Sequence, residues 1–325
     1  MKDEPISVSF CISDSYAQHL AVVIASLLVN NPDCDFVFHV VHHSILPDTE
    51  AKLRELERMY PRHRIVFHAI DETAFARFPL PATLMHVTRE MYYRYLLPEI
   101  LRDEHRTIYS DVDVLCRDGG IRALWEMDLG GRAMGAVRKL AGNSRPYIDH
   151  MVRLGMDASS PSYFSGLLVM DLEKLRGEQF AAACMRTTDE KADELVFPDM
   201  DVINVLMEGR MADIDPLWNM TERYSFFRRD VKIWHFVGQT QKPWCRIWKN
   251  VTWIPYLKYL LKTPYRSQAV KLVWSHVTGI FWFSYTKNSV RRYLFCGIRV
   301  WKRRETAGVR NRLAQGIIHH AEDKS

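Results

Sequence analysis

At 325 residues the chain is longer than a single core usually supports, which excludes a small module and leaves room for one large domain with an appendage. Its 47% hydrophobic and 26% charged residues belong to a globular protein and exclude a disordered or fibrous one. The net charge of +5 hides a division: residues 1–250 hold 30 basic against 36 acidic residues, whereas 251–325 hold 14 against three, the pattern of a tail that meets an anionic surface, membrane or nucleic acid.

In chain order, branched and aromatic residues over 6–12 predict a buried strand. Leu20, Ile24, Leu27 and Leu28 then fall at helical spacing over 17–29, and Asn30-Asn31-Pro32 ends that helix. A strand over 36–41 follows, then a helix with Pro47 in its first turn that runs to about residue 60, and a third strand over 65–68. Residues 89–101 read as helical, and 107–110 as a strand leading into Asp111-Val112-Asp113. Such alternation predicts a mostly parallel α/β sheet, with ligands beyond the carboxyl ends of its strands. Past Trp253, aromatic and basic residues interleave, so a boundary is placed near 250. The expected domains are therefore 1–250 and a basic, aromatic extension over 251–325.

The six cysteines show no Cys-x-x-Cys pair and lie mostly in apolar runs, as reduced thiols do. The N-terminus carries acids and lacks the apolar core of a signal peptide, and no run of about 20 apolar residues predicts a spanning helix.

Two carboxylates two residues apart at a strand end, as in Asp111 and Asp113, can hold one hard divalent ion, although Asp-rich turns that bond only their own backbone are common. His235 follows a strand-like stretch over 231–234 and precedes Gly238 and Lys242. Glycine lets backbone approach a phosphate and lysine brings it a charge; alone, such a histidine reads equally as a core residue. Tyr16, in the turn after the first strand, can stack on a base, while Asp14 or Ser15 can cap the following helix.

In these stretches the chain resembles the family 8 glycosyltransferases, most closely the bacterial lipopolysaccharide galactosyl- and glucosyltransferases. The segments that carry the resemblance are VSFCISDSYAQHLAVVIASLL (8–28), MYYRYLLPEIL (91–101), TIYSDVDVLCRD (107–118), ALWEMDLGG (123–131), YFSGLLVMDLEKLR (163–176), FPDMDVINVLMEG (197–209) and WHFVGQTQKPW (234–244). The resemblance implies a GT-A-type, Rossmann-like domain with a mixed, mostly parallel sheet, plus a C-terminal helical extension. It implies a retaining transferase that moves glucose or galactose from a UDP-sugar to a glycan such as lipopolysaccharide core. Asp111, Asp113 and His235 would bind manganese (or magnesium). Tyr16 would stack on uracil, with Cys11, Ser13 and Ser15 around the nucleoside. Arg94 would contact sugar and phosphate, Gly238 and Lys242 the β-phosphate, and Ser165 and Gly166 the hexose. Asp199, beside Asp201, would bind donor hydroxyls, and these two acids with Arg94 and Lys242 form the expected catalytic set.

The chain departs from the family pattern at several positions. Met200 stands where glutamine is common, Ser13 where an acid is, and Ser165 where asparagine is. The Gly238-to-Lys242 spacing is one residue longer than usual, and Arg138-Lys139 replaces an acid near the acceptor, which suggests an anionic acceptor. The basic tail suits the headgroup layer of a membrane, so a cytoplasmic protein held on the inner membrane face is expected, without nucleic acid. A transferase for capsule or protein-linked glycans, or a silent nucleotide-sugar-binding module, remains an alternative.

Overall fold

The computed structural model describes residues 4–80, 88–139, 145–221, 228–238, 242–245, 252–287, 290–295 and 298–304. Thirteen strands are described: β1 Ile6–Cys11, β2 Phe36–His42, β3 His63–Ala69, β4 Arg106–Ser110, β5 Val114–Cys116, β6 Met134–Arg138, β7 Tyr163–Asp171, β8 Met211–Ile214, β9 Met220–Thr221, β10 Ile233–His235, β11 Trp282–Lys287, β12 Val290–Phe295 and β13 Ile298–Arg304. The α-helices are α1 Ala17–Asn30, α2 Pro47–Met59, α3 Leu97–Ile100, α4 Ile121–Trp125, α5 Arg145–Arg153, α6 Leu172–Gly177, α7 Phe180–Glu190, α8 Pro198–Leu206, α9 Trp253–Leu260 and α10 Gln268–Phe281.

Seven strands form the central sheet in the order β3-β2-β1-β4-β7-β6-β8. Neighbours are parallel except where β7 pairs antiparallel with β4 and β6, which makes the sheet mixed and mostly parallel. Both β1 and β2 are covered on both faces: Ile6, Val8, Phe10, Phe36, Phe38 and Val40 are buried on one side, and Ser7, Ser9, Val37, His39 and Val41 on the other. α1 packs its buried Leu20, Ile24 and Leu27 on one face, together with α2 residues Leu53 and Leu56. Tyr92, Tyr95, Leu97, Leu172, Phe180 and Ile203 build the core on the other.

The first three strands and two helices fall within two residues of the expected bounds. Residues 89–101 differ: they open as a 3-10 helix, Arg89–Leu96, before the short α3. Pro98 lies inside α3 and lacks the N–H that a longer α-helix would need there.

The boundary expected near 250 is not a gap in packing. Tyr256, Tyr259 and Leu260 of α9 and Leu272 of α10 share one buried cluster with Val22 of α1, Leu115 of β5, and Trp234 and Phe236 around β10. The Tyr259 hydroxyl accepts a hydrogen bond from Asn30 Nδ2 at 2.9 Å. Beyond α10 the extension is not wholly helical: β11, β12 and β13 form an antiparallel three-stranded sheet. The last stretch of the basic tail, residues 305–325, lies outside the described residues. Among the described residues no helix is long and apolar enough to cross a membrane.

Candidate active site

Strand pairing explains how side chains far apart in sequence meet. β4 delivers Asp111 to the carboxyl edge of the sheet, where its N–H donates to the Gly166 carbonyl of β7 at 2.9 Å. The chain then enters β5, against which β10 runs antiparallel, with His235 opposite Val114. The Phe236 N–H donates to the Asp113 carbonyl at 2.9 Å, so the end of β10 lies beside the start of β5. Asp111, Asp113 and His235 therefore offer ligand atoms within 4.8 Å of one another.

His235 Nε2 lies 3.3 Å from Asp113 Oδ1 and 3.8 Å from Asp111 Oδ2. Behind the ring, Asn219 Oδ1 is 2.9 Å from Nδ1. With the proton on Nδ1, Asn219 fixes the ring and the Nε2 lone pair faces the carboxylates. Burial opposes a charge on His235, yet the Asp113 and Asp111 carboxylates together outweigh it and raise the imidazole's affinity for a proton. The same field favours a divalent cation. Gly166 completes the cradle: a Cβ there would lie 2.4 Å from His235 Cε1 and 2.8 Å from Asp111 Oδ2, so a side chain would occupy the space between the ligands. Two carboxylates and an imidazole fit a hard or borderline divalent ion such as manganese or magnesium.

Asp113 also pairs with the Lys242 ammonium. Burial would raise its carboxyl, but Lys242 and His235 hold it well below the usual carboxylate range. Gly238, just after β10, has a φ of 86°, in the left-handed region that favours glycine.

Arg94 is buried and held by several protein acceptors. Its Nη1 donates to the Ser165 carbonyl at 2.7 Å and lies 3.0 Å from Asp199 Oδ2; its Nη2 lies 3.0 Å from Asp111 Oδ1. The guanidinium sits over the Tyr109 ring at 4.3 Å, and the Tyr109 hydroxyl donates to Asp111 Oδ1 at 2.6 Å. Burial raises the Asp199 carboxyl against the pull of Arg94. Ser165 Oγ donates to Asp199 Oδ2 at 2.9 Å. Arg94 thus ties Asp111 to Asp199 and joins the two ends of the site.

These residues surround one pocket of about 220 Å³. Cys11, Ser13, Tyr16, Arg94, Asp111, Asp113, Ser165, Asp199, His235, Gly238 and Lys242 line it. Ser15 is not among the lining residues; it is exposed, with Oγ 3.0 Å from Ser13 Oγ. Burial, above all, pushes the Cys11 thiol up, so this sulfur is an inert wall. Asp201 does not line the pocket. It is fully buried, its Oδ2 accepts from the Val196 and Phe197 N–H groups at 3.0 and 2.9 Å, and His150 Nε2 is 2.8 Å away. This geometry fits a residue that anchors the start of α8 and so positions Asp199. Near it, the Lys139 ammonium lies 3.6 Å from the centre of the Tyr147 ring, while Arg138 is exposed and pairs loosely with Asp213 at 3.8 Å.

Tyr109, Asn219, Glu90 and a supporting aromatic layer were not singled out by sequence. In that layer His19 stacks on Trp244 with ring centres 3.5 Å apart, Tyr16 meets both rings edge-on, and the Tyr256 hydroxyl is 2.7 Å from His19 Nδ1. Burial chiefly holds His19 neutral, at about 3. Tyr109 was within reach of pattern reasoning, because it precedes Asp111 by two residues on a strand and shares its face. Asn219 carries no local signal, since β9 is only two residues long.

The fold is of the GT-A type. A model of Glycosyl transferase family 8 matches residues 7–248, and the chain belongs to that family of glycosyl-transferring enzymes. General stress protein A of Bacillus subtilis is 25% identical over 287 residues, 82% of this chain and 96% of that protein. The lipopolysaccharide 1,2-glucosyltransferase of Escherichia coli K12 is 24% identical over 277 residues, 80% and 78% of the two chains. The lipopolysaccharide 1,3-galactosyltransferase of Salmonella typhimurium is 22% identical over 254 residues, 74% and 73%. The solved galactosyltransferase LgtC, in complex with donor and acceptor sugar analogues, superposes with a TM-score of 0.70 at 24% identity, covering 79% of this chain and 96% of that one.

Proposed function

We propose that the protein is a metal-assisted, retaining hexosyltransferase that takes glucose or galactose from a UDP-sugar and places it on a bacterial surface glycan such as lipopolysaccharide core. The observation that carries this reading is the convergence of Asp111, Asp113 and His235 on one ion-sized position with Lys242 beside it, at the floor of an open pocket. Names among the relatives support the acceptor class.

A bound divalent ion would supply positive charge to the leaving diphosphate. The protein's own part is positioning and charge. Tyr16 offers a ring face to the base, and Lys242 a cation to the diphosphate. Asp199, held by Arg94 and Ser165, offers an oxygen to donor hydroxyls. As the anomeric bond breaks, negative charge grows on the diphosphate, where Lys242 is already fixed and needs no reorganisation. Met200 is no nucleophile, which favours attack of the acceptor on the same face that UDP leaves.

Incubating the protein with manganese and a panel of UDP-sugars, without acceptor, should release UDP slowly from one donor. No turnover with any donor would favour a silent binding module instead. Running the same assay with phosphorylated and dephosphorylated core glycans tests the anionic acceptor suggested by Arg138 and Lys139; equal rates would remove that idea.

The extension is read as a membrane-surface contact. Val270, Trp274 and Val277 are exposed along one side of α10, with Trp274 70% and Val270 77% accessible, and Lys258, Lys262, Arg266 and Lys271 lie on or beside these helices. An apolar stripe flanked by lysines suits a headgroup layer, where each basic residue contributes about 1 kcal/mol. Deleting residues 265–325 should release the protein from anionic liposomes while UDP binding persists; liposome binding that survives the deletion would count against this reading.

A further inference from the structure

Four acids line the pocket, and three are committed. Asp111 is held by Arg94 and Tyr109, Asp113 by Lys242 and His235, and Asp199 by Arg94 and Ser165. The fourth is Glu90, at the start of the 3-10 helix that also carries Arg94. It is half-buried, and among the described residues no cation pairs with it. It lines the same pocket as Cys11 at the end of β1 and Ser13 and Tyr16 in the turn that follows.

A carboxylate without a counter-cation is an obstacle in a pocket for a diphosphate, unless it faces a part of the ligand that donates hydrogen bonds. The nearby side chains do not serve that purpose. Asp14 turns away to accept from the Leu46 N–H at 2.9 Å, and Ser13 is engaged with Ser15. Glu90 is therefore the uncommitted acid in the pocket that Tyr16 walls.

Resting on the UDP-sugar reading above, we infer that Glu90 is a specificity-determining residue whose carboxylate accepts the imide N–H of a uracil-type base. Uracil presents a ring N–H where cytosine presents a lone pair. The first would donate to Glu90 and the second would be repelled, so one side chain both holds the correct base and rejects the other. The discrimination sits on a different element from the turn after β1, which lacks an acid facing the pocket.

The test compares UDP, CDP and inorganic pyrophosphate, each with manganese, by calorimetric titration of the wild type, Glu90→Gln and Glu90→Ala. A hydrogen bond to a charged group is worth about 10- to 100-fold in affinity, so Glu90→Ala should weaken UDP by that factor. Glu90→Gln should narrow the UDP-to-CDP ratio by about tenfold or more, because an amide can turn its NH₂ towards the cytosine lone pair. Pyrophosphate binding should be unchanged in both, which a general loss of structure would not allow. An unaltered UDP-to-CDP ratio in Glu90→Gln overturns the inference, whether Glu90 then contacts ribose, hexose or nothing. Equal losses for UDP and pyrophosphate overturn it too. Failure of the wild type to bind any uridine nucleotide would instead sink the parent reading, and the two failures are distinct.

Discussion

Gly166→Ala should abolish manganese binding while leaving the protein folded. The added methyl would stand 2.4 Å from His235 Cε1 and 2.8 Å from Asp111 Oδ2, and neither neighbour is free to retreat. The His235 ring is backed by Asn219, and the Asp111 carboxylate is held by Arg94 and Tyr109. The strain is relieved only by spreading the ligands apart. Disturbing the groups that orient metal ligands typically costs 10- to 100-fold in affinity, and direct displacement belongs at the upper end, about 100-fold or more. Titration with manganese, followed by calorimetry or the electron paramagnetic resonance of the free ion, reads this loss, and circular dichroism confirms the fold. Manganese binding by Gly166→Ala equal to wild type would mean that the three side chains do not share an ion.

Arg94→Met should cost about 3–5 kcal/mol of stability, the penalty of leaving buried carboxylates without their cation. Both Asp111 and Asp199 lose their partner in this variant. The loss has a pH signature. Burial already raises Asp199, and Arg94 is the main influence opposing it. Without Arg94 the folded chain would retain a proton that the unfolded chain releases near its ordinary value of 3.8. A folded state that binds more protons loses stability as pH rises through that window. The gap between variant and wild type should therefore be widest at neutral pH and shrink towards pH 4. Urea unfolding at pH 7.5 and 4.5 measures both; a gap below about 1 kcal/mol at pH 7.5 would show that Arg94 is not the tie between the two acids.

The parts of this molecule that were legible in sequence are those with a local signature. Branched and aromatic residues at alternating positions marked β1, helical spacing marked α1, and the Asp-x-Asp motif at the end of β4 marked the site. The described extension proved harder for a physical reason. Aromatic and basic residues interleaved past Trp253 describe composition only, and composition does not distinguish Tyr256, buried against α1, from Trp274, which is exposed. Asp201 shows a similar limit: two acids two residues apart at the start of α8 point in different directions, Asp199 into the pocket and Asp201 towards His150. Spacing gave no sign of that. Glu90 carries no signal of its own in sequence, because a glutamate in the first turn of a helix has an ordinary explanation in the helix dipole.

The aromatic layer behind Tyr16 bears on where this protein can be trimmed. A fragment ending at Asn250 would discard Tyr256, strip the hydroxyl from His19 and lay bare the flank of Trp244, two positions from Lys242. Ending the fragment after residue 264 keeps α9 seated on α1. The smallest unit able to keep the Tyr16 wall of the pocket backed is therefore longer than the segment matched by the family model, by the length of one short helix and its lead-in.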